Sequence, residues 1–152
     1  MQLASFTIDA ERYAADIMWI REIILYRKAM PFPKAPDFVE GIINLRGKVV
    51  PVIDIRKRLG LTPKEADSNT RIIIVKFTDM NIGMIVDSVD KVLRVGNRGI
   101  QPSPKLVRNI DAEYLAGIVM DGEKMVIVLD LQRVLSEAER LRLDDTISSN
   151  NI

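Results

Sequence analysis

The chain has 152 residues, with 22 Lys and Arg, 21 Asp and Glu and no His or Cys, so its formal net charge is +1. A length near 150 residues indicates one domain. Its 47% hydrophobic residues suffice for a core that hides roughly two thirds of the unfolded chain's surface. Without Cys or His there is no disulfide, thiol nucleophile, imidazole base or zinc site of Cys and His. Most common enzyme mechanisms are thereby excluded, no cofactor is expected, and the balanced charge disfavours a surface that binds nucleic acid or anionic lipid throughout.

The sequence shows no sign of a membrane or export segment. Its longest uninterrupted apolar run, residues 125–129, is far shorter than the roughly 20 residues that cross a bilayer. The amino end lacks the basic and apolar regions of a signal peptide, since Asp9 and Glu11 follow almost at once. We therefore expect a cytoplasmic protein with no direct membrane insertion.

Short runs rich in Ile and Val, separated by turn residues, indicate a mainly β fold. Apolar runs flank the polar turn at residues 9–12, and two more runs, residues 71–77 and 82–86, flank residues 78–81. Each set predicts a hairpin. After each hairpin, apolar residues recur at three- and four-residue spacing, which permits either a helical turn or a bent strand. These residues are Ile17, Ile20, Ile23, Ile24, Val86, Val89, Val92 and Leu93.

Three connecting segments and a tail complete the expected chain. Prolines in residues 29–36 remove backbone donors, so this segment is a surface connection and not an inner strand. Residues 62–69 and 97–109 are polar and predict exposed loops. Residues 136–143 predict a short amphipathic helix, and residues 144–152, with little to bury, are expected to fray.

The two halves of the chain repeat each other. Residues 41–59 align with residues 117–135 without a gap, and the first predicted hairpin aligns with the second. Each copy predicts a strand, a tight turn, a second strand and an aspartate, Asp54 or Asp130, that can cap a short helix. The sequence therefore predicts a single domain, residues 1–152, made of two similar β subdomains.

Several acidic residues invite a catalytic or phosphoacceptor interpretation. Asp54 and Asp130 end apolar strands as a receiver's phosphoacceptor does, but the full alternating helices of a receiver are not apparent. Helix capping explains both residues better. Asp87 and Asp90 could act as an acid and base pair, but nothing in their spacing requires it.

Basic residues cluster in the first repeat copy and leave a second function open. Small β-barrels hold nucleic acid with basic surfaces and stacked aromatics, although only 5% of residues are aromatic here. The other interpretation is a solvated face of a short helix that turns Ile55 and Leu59 inward. A nucleic-acid-binding β-barrel is therefore the alternative function. Its contacts would be Arg46, Lys48, Arg56, Lys57 and Arg58.

Arg46 and Glu22 are the charged residues most suggestive of a protein interface. A hairpin turn at residues 44–47 presents Arg46 outward, where its guanidinium can form bidentate contacts with a partner's carboxylate. Glu22 lies between the apolar Ile20 and Ile23, and charge beside apolar surface often marks an interface rim. From the residues alone, an ordinary solvated charge explains each equally well.

The first half of the chain strongly resembles the CheW family of bacterial chemotaxis coupling proteins. The resemblance runs from Ile20-Arg21-Glu22-Ile23, through three prolines, to residues 41–60. Residues 83–89 and 116–118 extend the resemblance to the second half, and the tail after Leu143 matches least. Related modules end the histidine kinase CheA and occur in CheV, which adds a receiver. With 152 residues and no His, the free-standing adaptor is the closest match.

The resemblance implies two small SH3-like β-barrel subdomains around a shared hydrophobic zone, with short helices. It also implies an adaptor without catalysis or metal. Its partners are the regulatory domain of the CheA kinase and the cytoplasmic tip of methyl-accepting chemotaxis receptors, which recruit it to membrane receptor arrays.

By motif match, the partner-binding residues are Glu22 and, in the turn, Asn44, Leu45 and Arg46. A receptor helix needs an apolar groove, and core packing is the alternative for each groove candidate. These candidates are Ile20, Ile23, Ile43, Val86 and Val89.

Overall fold

The computed structural model describes residues 1–78, 80–96, 99–102 and 114–150. Within these residues, strands form two five-stranded sheets, which confirms the mainly β prediction. The strands are β1 Gln2–Ile8, β2 Glu11–Asp16, β3 Ile20–Leu25, β4 Val39–Leu45, β5 Lys48–Asp54, β6 Arg71–Lys76, β7 Asn81–Val86, β8 Ser88–Arg94, β9 Leu115–Asp121 and β10 Lys124–Leu129. The helices are a 3-10 turn Ile17–Trp19, α1 Ile55–Arg58 and α2 Glu137–Asn150.

Each sheet combines strands from both halves of the chain. One sheet, which we call unit A, has the order β8-β1-β2-β10-β9, and the other, unit B, has the order β3-β6-β7-β5-β4. Each sheet therefore contains a hairpin from one repeat copy and three strands of the other copy. The hairpin pairs in parallel with one of them, as β2 with β10 or β7 with β5, and antiparallel with another, as β1 with β8 or β6 with β3. Neither half of the chain completes a sheet alone.

Both predicted hairpins are confirmed, as β1–β2 and β6–β7. The turn of the first hairpin is formed by Asp9 and Ala10, both at positive φ, as in the mirror-image turns that match strand twist. The segments after the hairpins, left open by the sequence, are the strands β3 and β8. The 3-10 turn precedes β3, and its cap Asp16 accepts a hydrogen bond from the Met18 N–H.

A single backbone bridge closes each sheet into a barrel-like unit. Met30, which follows β3, exchanges two hydrogen bonds of 2.8 and 2.9 Å with Ile42 on β4, at the opposite edge of unit B. Gln101, which follows β8, does the same with Ile118 on β9. The segment 29–36 is otherwise outside the strands, as predicted.

The structure agrees with the predictions for one of the polar loops but differs from them at the carboxyl end. Residues 62–69 lie outside strands and helices and are largely exposed, as predicted, but residues 97–98 and 103–109 of the other predicted loop lie outside the described residues. Helix α2 reaches Asn150, beyond the predicted end at residue 143. It continues because Leu143 is fully buried and Ile147, one turn later, packs on the same core. Fraying of residues 144–152 stays a prediction.

The central strands are buried on both faces, which explains their nearly continuous apolar runs. In β6, Ile72 and Ile74 face the interior of unit B, while Ile73 and Val75 face a zone shared by the two units. A third cluster fills unit A. The shared zone includes Phe6, Ile8, Tyr13, Ile53, Ile73, Met84, Leu129 and Leu135.

Candidate partner-binding site

Arg46 and Glu22 form an ion pair on the surface of unit B. Arg46 Nη1 donates to Glu22 Oε1 at 3.2 Å, and Nη2 donates to Oε2. Glu22 lies on the edge strand β3 and Arg46 on the turn beside the opposite edge strand, β4, so the curl of the sheet brings them together. The hydrogen bond from Arg46 lowers the pKa of Glu22, and the bond to Glu22 raises the pKa of Arg46.

The turn that carries Arg46 is held by hydrogen bonds and by a buried side chain beneath it. Arg46 and Gly47 have φ of 52° and 84°, the pattern of a two-residue hairpin turn. The Asn44 side-chain oxygen accepts from the Gly47 N–H at 2.8 Å, and Arg27 donates to the Asn44 carbonyl. Leu45 is buried beneath the turn. The Arg46 side chain, 69% exposed, therefore projects from a fixed base.

The apolar residues predicted for the groove divide by burial. Ile43, like Leu45, is buried in the interior of unit B, and Val86 is buried in the shared zone. Ile20 and Val89 are half-buried against the shared zone, and Ile23 is exposed. Direct contact between these residues and a partner stays a prediction.

A cleft of about 370 Å³ opens beside the Arg46 turn, between the β4–β5 hairpin, the β6–β7 turn and α2. Sequence reasoning did not include α2 in this surface because it expected the tail to fray. Lys48, which directly follows the Arg46 turn, lines the cleft. The cleft lining includes Arg21, Lys48, Val49, Phe77, Asp144 and Ile147.

Arg56 is buried, so the solvated-face interpretation of the basic cluster is wrong for this residue. Its guanidinium donates to both carboxylate oxygens of Asp87 at 2.9 and 2.8 Å and to Asp9 at 3.2 Å. These bonds lower the pKa of Asp87 and raise that of Arg56. Asp87 is therefore an ion-pair partner and not a free acid or base.

The rest of the basic cluster is also largely neutralised. Arg58 donates to Glu139 at 2.8 and 3.0 Å and to the Val134 carbonyl, and its guanidinium lies 5.6 Å from the ring centroid of Phe38. Lys57 meets Glu40. A surface whose cations are already paired offers little to phosphates, so the nucleic-acid alternative is not favoured.

Unit A carries a second ion pair that sequence reasoning missed. Lys91, which aligns with Glu22 in the repeat, meets Asp121 at 3.1 Å, and Arg12 donates to the same carboxylate at 2.8 Å. Asp121 directly precedes Gly122, the residue that aligns with Arg46. The repeat alignment, applied to Glu22 and Arg46, indicates Lys91 and the turn next to Asp121, although Asp121 itself aligns with Leu45. Exposed apolar residues on the nearby strands are Val92, Met120 and Met125.

Two kinds of site are missing from the described part of the chain. Its Asp and Glu residues form no group of three or more that could hold a metal ion. Of the helices described, none is long and apolar enough to span a membrane.

Comparisons with known proteins agree with this architecture. Residues 2–139 match the family model described as CheW-like domain. The chain is 34% identical to "Chemotaxis protein CheW" of Klebsiella aerogenes over 145 residues, 95% of this chain and 87% of that protein. Its namesake from Treponema pallidum is 34% identical over 146 residues, 93% of this chain and 86% of that one. The crystal structure of scaffolding protein TtCheW from Thermoanaerobacter tengcongensis superimposes with a TM-score of 0.77 at 36% identity and covers 86% of this chain and 88% of its own. The chain therefore belongs to the CheW family.

Proposed function

We propose that this protein is a non-catalytic adaptor that couples methyl-accepting chemotaxis receptors to the CheA histidine kinase in cytoplasmic signalling arrays. Its similarity to chemotaxis proteins and to a scaffolding protein supports this role. The observation that carries the proposal is the exposed Arg46–Glu22 pair beside an open cleft. Both residues were singled out from the sequence separately, and they lie at one surface.

The backbone at Arg46 supports a functional role for its side chain. Asn or Gly is favoured at the positive φ that Arg46 adopts. An exposed arginine in a backbone conformation better suited to Asn or Gly points to a role for its side chain. Glu22 engages two of the five guanidinium donors, so a partner's carboxylate can join the pair.

The cleft beside Arg46 suits a helix. Val49, Phe77 and Ile147 offer apolar surface, while Arg21 and Lys48 add positive charge. An amphipathic helix could pack its apolar stripe on the apolar surface of the cleft and place acidic residues next to Arg21 and Lys48. We assign the receptor tip to this cleft.

An adaptor needs a second surface, and unit A supplies a candidate. Val92, Met120 and Met125 are 55%, 57% and 45% exposed, beside the Lys91–Asp121 pair. Exposed apolar groups rimmed by charge favour contact with a folded domain. We assign the kinase regulatory domain to this surface.

Coupling requires more than holding two partners together. A receptor change alters kinase activity only if the adaptor contacts differ between the kinase states. Two surfaces of one connected body can transmit such a difference. The shared core joins unit A to unit B.

The test is co-sedimentation with membranes that contain the cognate receptor, with and without CheA. The wild-type protein should pellet and should raise the amount of kinase in the pellet. Arg46→Ala should remain in the supernatant but still bind kinase in a pull-down assay. Val92→Asp should pellet and bring no kinase with it. Lys64→Ala, which removes an exposed cation in the loop 62–69, should match the wild type.

The outcomes separate the adaptor role from the surface assignments. If the wild-type protein neither pellets nor raises pelleted kinase at micromolar concentration, the adaptor proposal is wrong. If Arg46→Ala loses kinase but keeps receptor binding, the two surfaces are assigned the wrong way round.

A further inference from the structure

The internal repeat produces two equivalent clefts, one at the end of each parallel strand pair. Each has a volume of about 160 Å³. Asp54 lines the cleft of unit B, and Asp130, which aligns with Asp54 in the repeat, lines that of unit A. Both aspartates accept a backbone N–H two residues on, so the local frame is the same.

The cleft of unit B is filled with charge. Arg56, Asp87, Glu40 and Lys57 line it and form ion pairs with one another. Residues 63–66 of the neighbouring loop also line it. The exposed lining of this cleft is therefore more polar than apolar.

Three of these four charges have no charged counterpart in unit A; the fourth, Lys57, aligns with Arg133. Met18 stands at the repeat position of Asp87, and Ala116 at that of Glu40. Gln132 replaces Arg56, and its amide donates to the Lys76 carbonyl at 2.7 Å. The lining of the cleft is mostly apolar and includes Leu3, Trp19, Ile100, Ala116, Val128 and Leu131.

The mouth of the unit A cleft combines exposed apolar groups with negative charge. Met1 and Trp19 are 67% and 43% exposed, and the adjacent Met18 is 68% exposed. Clustered exposed apolar side chains mark interaction sites, and Trp is enriched among the residues that dominate binding energy. Asp16 and Asp130 are the charged residues of the lining. Among the described residues Asp16 has no ion pair, while Asp130 meets Arg133 at 3.5 Å.

We propose that the unit A cleft is a third docking site, which takes an apolar side chain next to Lys or Arg in an extended segment of a protein partner. A cavity of about 160 Å³ is close to the roughly 150 Å³ that holds benzene inside a protein, so one Leu- or Phe-sized side chain fits. Asp16 and Asp130 select a cationic neighbour by charge complementarity. This site is separate from the two surfaces of the proposed adaptor.

Trp19 provides the readout, because it is the only tryptophan in the chain. The probes are two short peptides, acetyl-Lys-Leu-Lys-amide and acetyl-Glu-Leu-Glu-amide, titrated into the full-length protein. The lysine peptide should shift Trp19 emission to shorter wavelength in a saturable way and reduce quenching by acrylamide. The dissociation constant of the glutamate peptide should be higher than that of the lysine peptide by about fivefold.

Three variants test the position of the site. Ala116→Leu should fill the cleft and abolish the emission change, with circular dichroism confirming the fold. The matched control Ala66→Leu, in the unit B cleft, should bind like the wild type. Asp16→Asn keeps an acceptor for the Met18 N–H but removes the charge, and should reduce the preference for the lysine peptide about threefold.

The proposal is overturned if neither peptide gives a saturable change, if both bind equally, or if Ala116→Leu binds normally. It is also overturned if Trp19 in the free protein is already shielded from acrylamide, because the chain itself then fills the cleft.

Discussion

At the scale of single residues, Arg46 combines an exposed side chain with a backbone conformation that few arginines adopt. Its φ is 52° in a two-residue turn with Gly47. Asn followed by Gly is the preferred pair for such a turn. At this position, the stability of the turn should therefore favour Asn, while partner binding should favour Arg.

The variant Arg46→Asn should separate the effect of this residue on stability from its effect on binding. Because Asn tolerates the left-handed conformation, the variant should unfold at the same temperature as the wild type or higher. It should lose receptor co-sedimentation as Arg46→Ala does, because it lacks the guanidinium. Thermal unfolding followed by circular dichroism gives the first quantity. A fall of several degrees would instead show that Arg46 stabilises the fold, and retained binding would remove Arg46 from the interface.

The sequence predicted Arg46 and Glu22 as separate candidates but did not predict that they pair. They lie 24 residues apart on elements at opposite edges of unit B, and only the curl of the sheet joins them. Arg56 was misinterpreted for a similar reason. Its partners Asp87 and Asp9 come from distant turns, so its local pattern of alternating charge gave no sign of burial.

At the scale of elements, the β4–β5 and β9–β10 hairpins place a glycine where the chain closes each unit. A Cβ on Gly41 would lie 2.5 Å from the Met30 carbonyl oxygen, and one on Gly117 would collide with that of Gln101. Each glycine adjoins the bridging residue, Ile42 or Ile118. Glycine is required because the backbones approach too closely for any side chain.

Gly41→Ala should break the bridge between Met30 and Ile42. The collision and the positive φ of 154° together predict a loss of about 2–4 kcal/mol in the free energy of unfolding, measured with urea. Gly117→Ala should behave alike, since its surroundings are equivalent. Gly96→Ala, with open space around it, is the matched control and should stay close to the wild type. Equal stability of all three variants would show that the bridges contribute little.

The repeat revealed which elements the fold contains, but not how they combine. Hairpins are predictable because their turns are local, and the capping of α1 by Asp54 follows from its position in the first copy. The helix predicted after Asp130 is absent: Asp130 accepts the equivalent bond from the Gln132 N–H, but only a turn follows it. Similarity between copies does not say which copy a strand pairs with. The exchange of β3 and β8 between units was therefore hidden. Buried contacts of Leu143 and Ile147 likewise decide the length of α2.

At the scale of the whole molecule, helix α1 ties the two units and α2 together. Arg56 reaches from α1 to Asp9 in the first hairpin of unit A. Arg58 reaches to Glu139 on α2 and lies against the rings of Phe38 and Tyr114, which precede β4 and β9. These contacts join units A and B to each other and to α2. The proposed coupling requires such a connection between the two surfaces.

Arg58→Ala should weaken this connection strongly. The Arg58 and Glu139 side chains are only 16% and 23% exposed, and removing one partner of such a pair costs about 3 kcal/mol. Lys57→Ala is the control, because Lys57 is 45% exposed and its pair is worth about 1 kcal/mol or less. Urea unfolding at pH 7 measures both losses. Equal losses for the two variants would contradict a special role for Arg58.

The pH dependence of the Arg58→Ala effect gives a second check on the same contact. Burial raises the pKa of Glu139, but hydrogen bonds from the Ser136 N–H and Arg58 outweigh it, so the pKa is lower than usual. A carboxylate with a lowered pKa stabilises the fold above its unfolded value, about 4.3, and loses that contribution as the pH falls through the folded value. The stability gap between the wild type and Arg58→Ala should therefore be full at pH 7 and should narrow at pH 3. A gap of the same size at both values would mean that ring stacking and the Val134 carbonyl, and not the ionised Glu139, account for what Arg58 contributes.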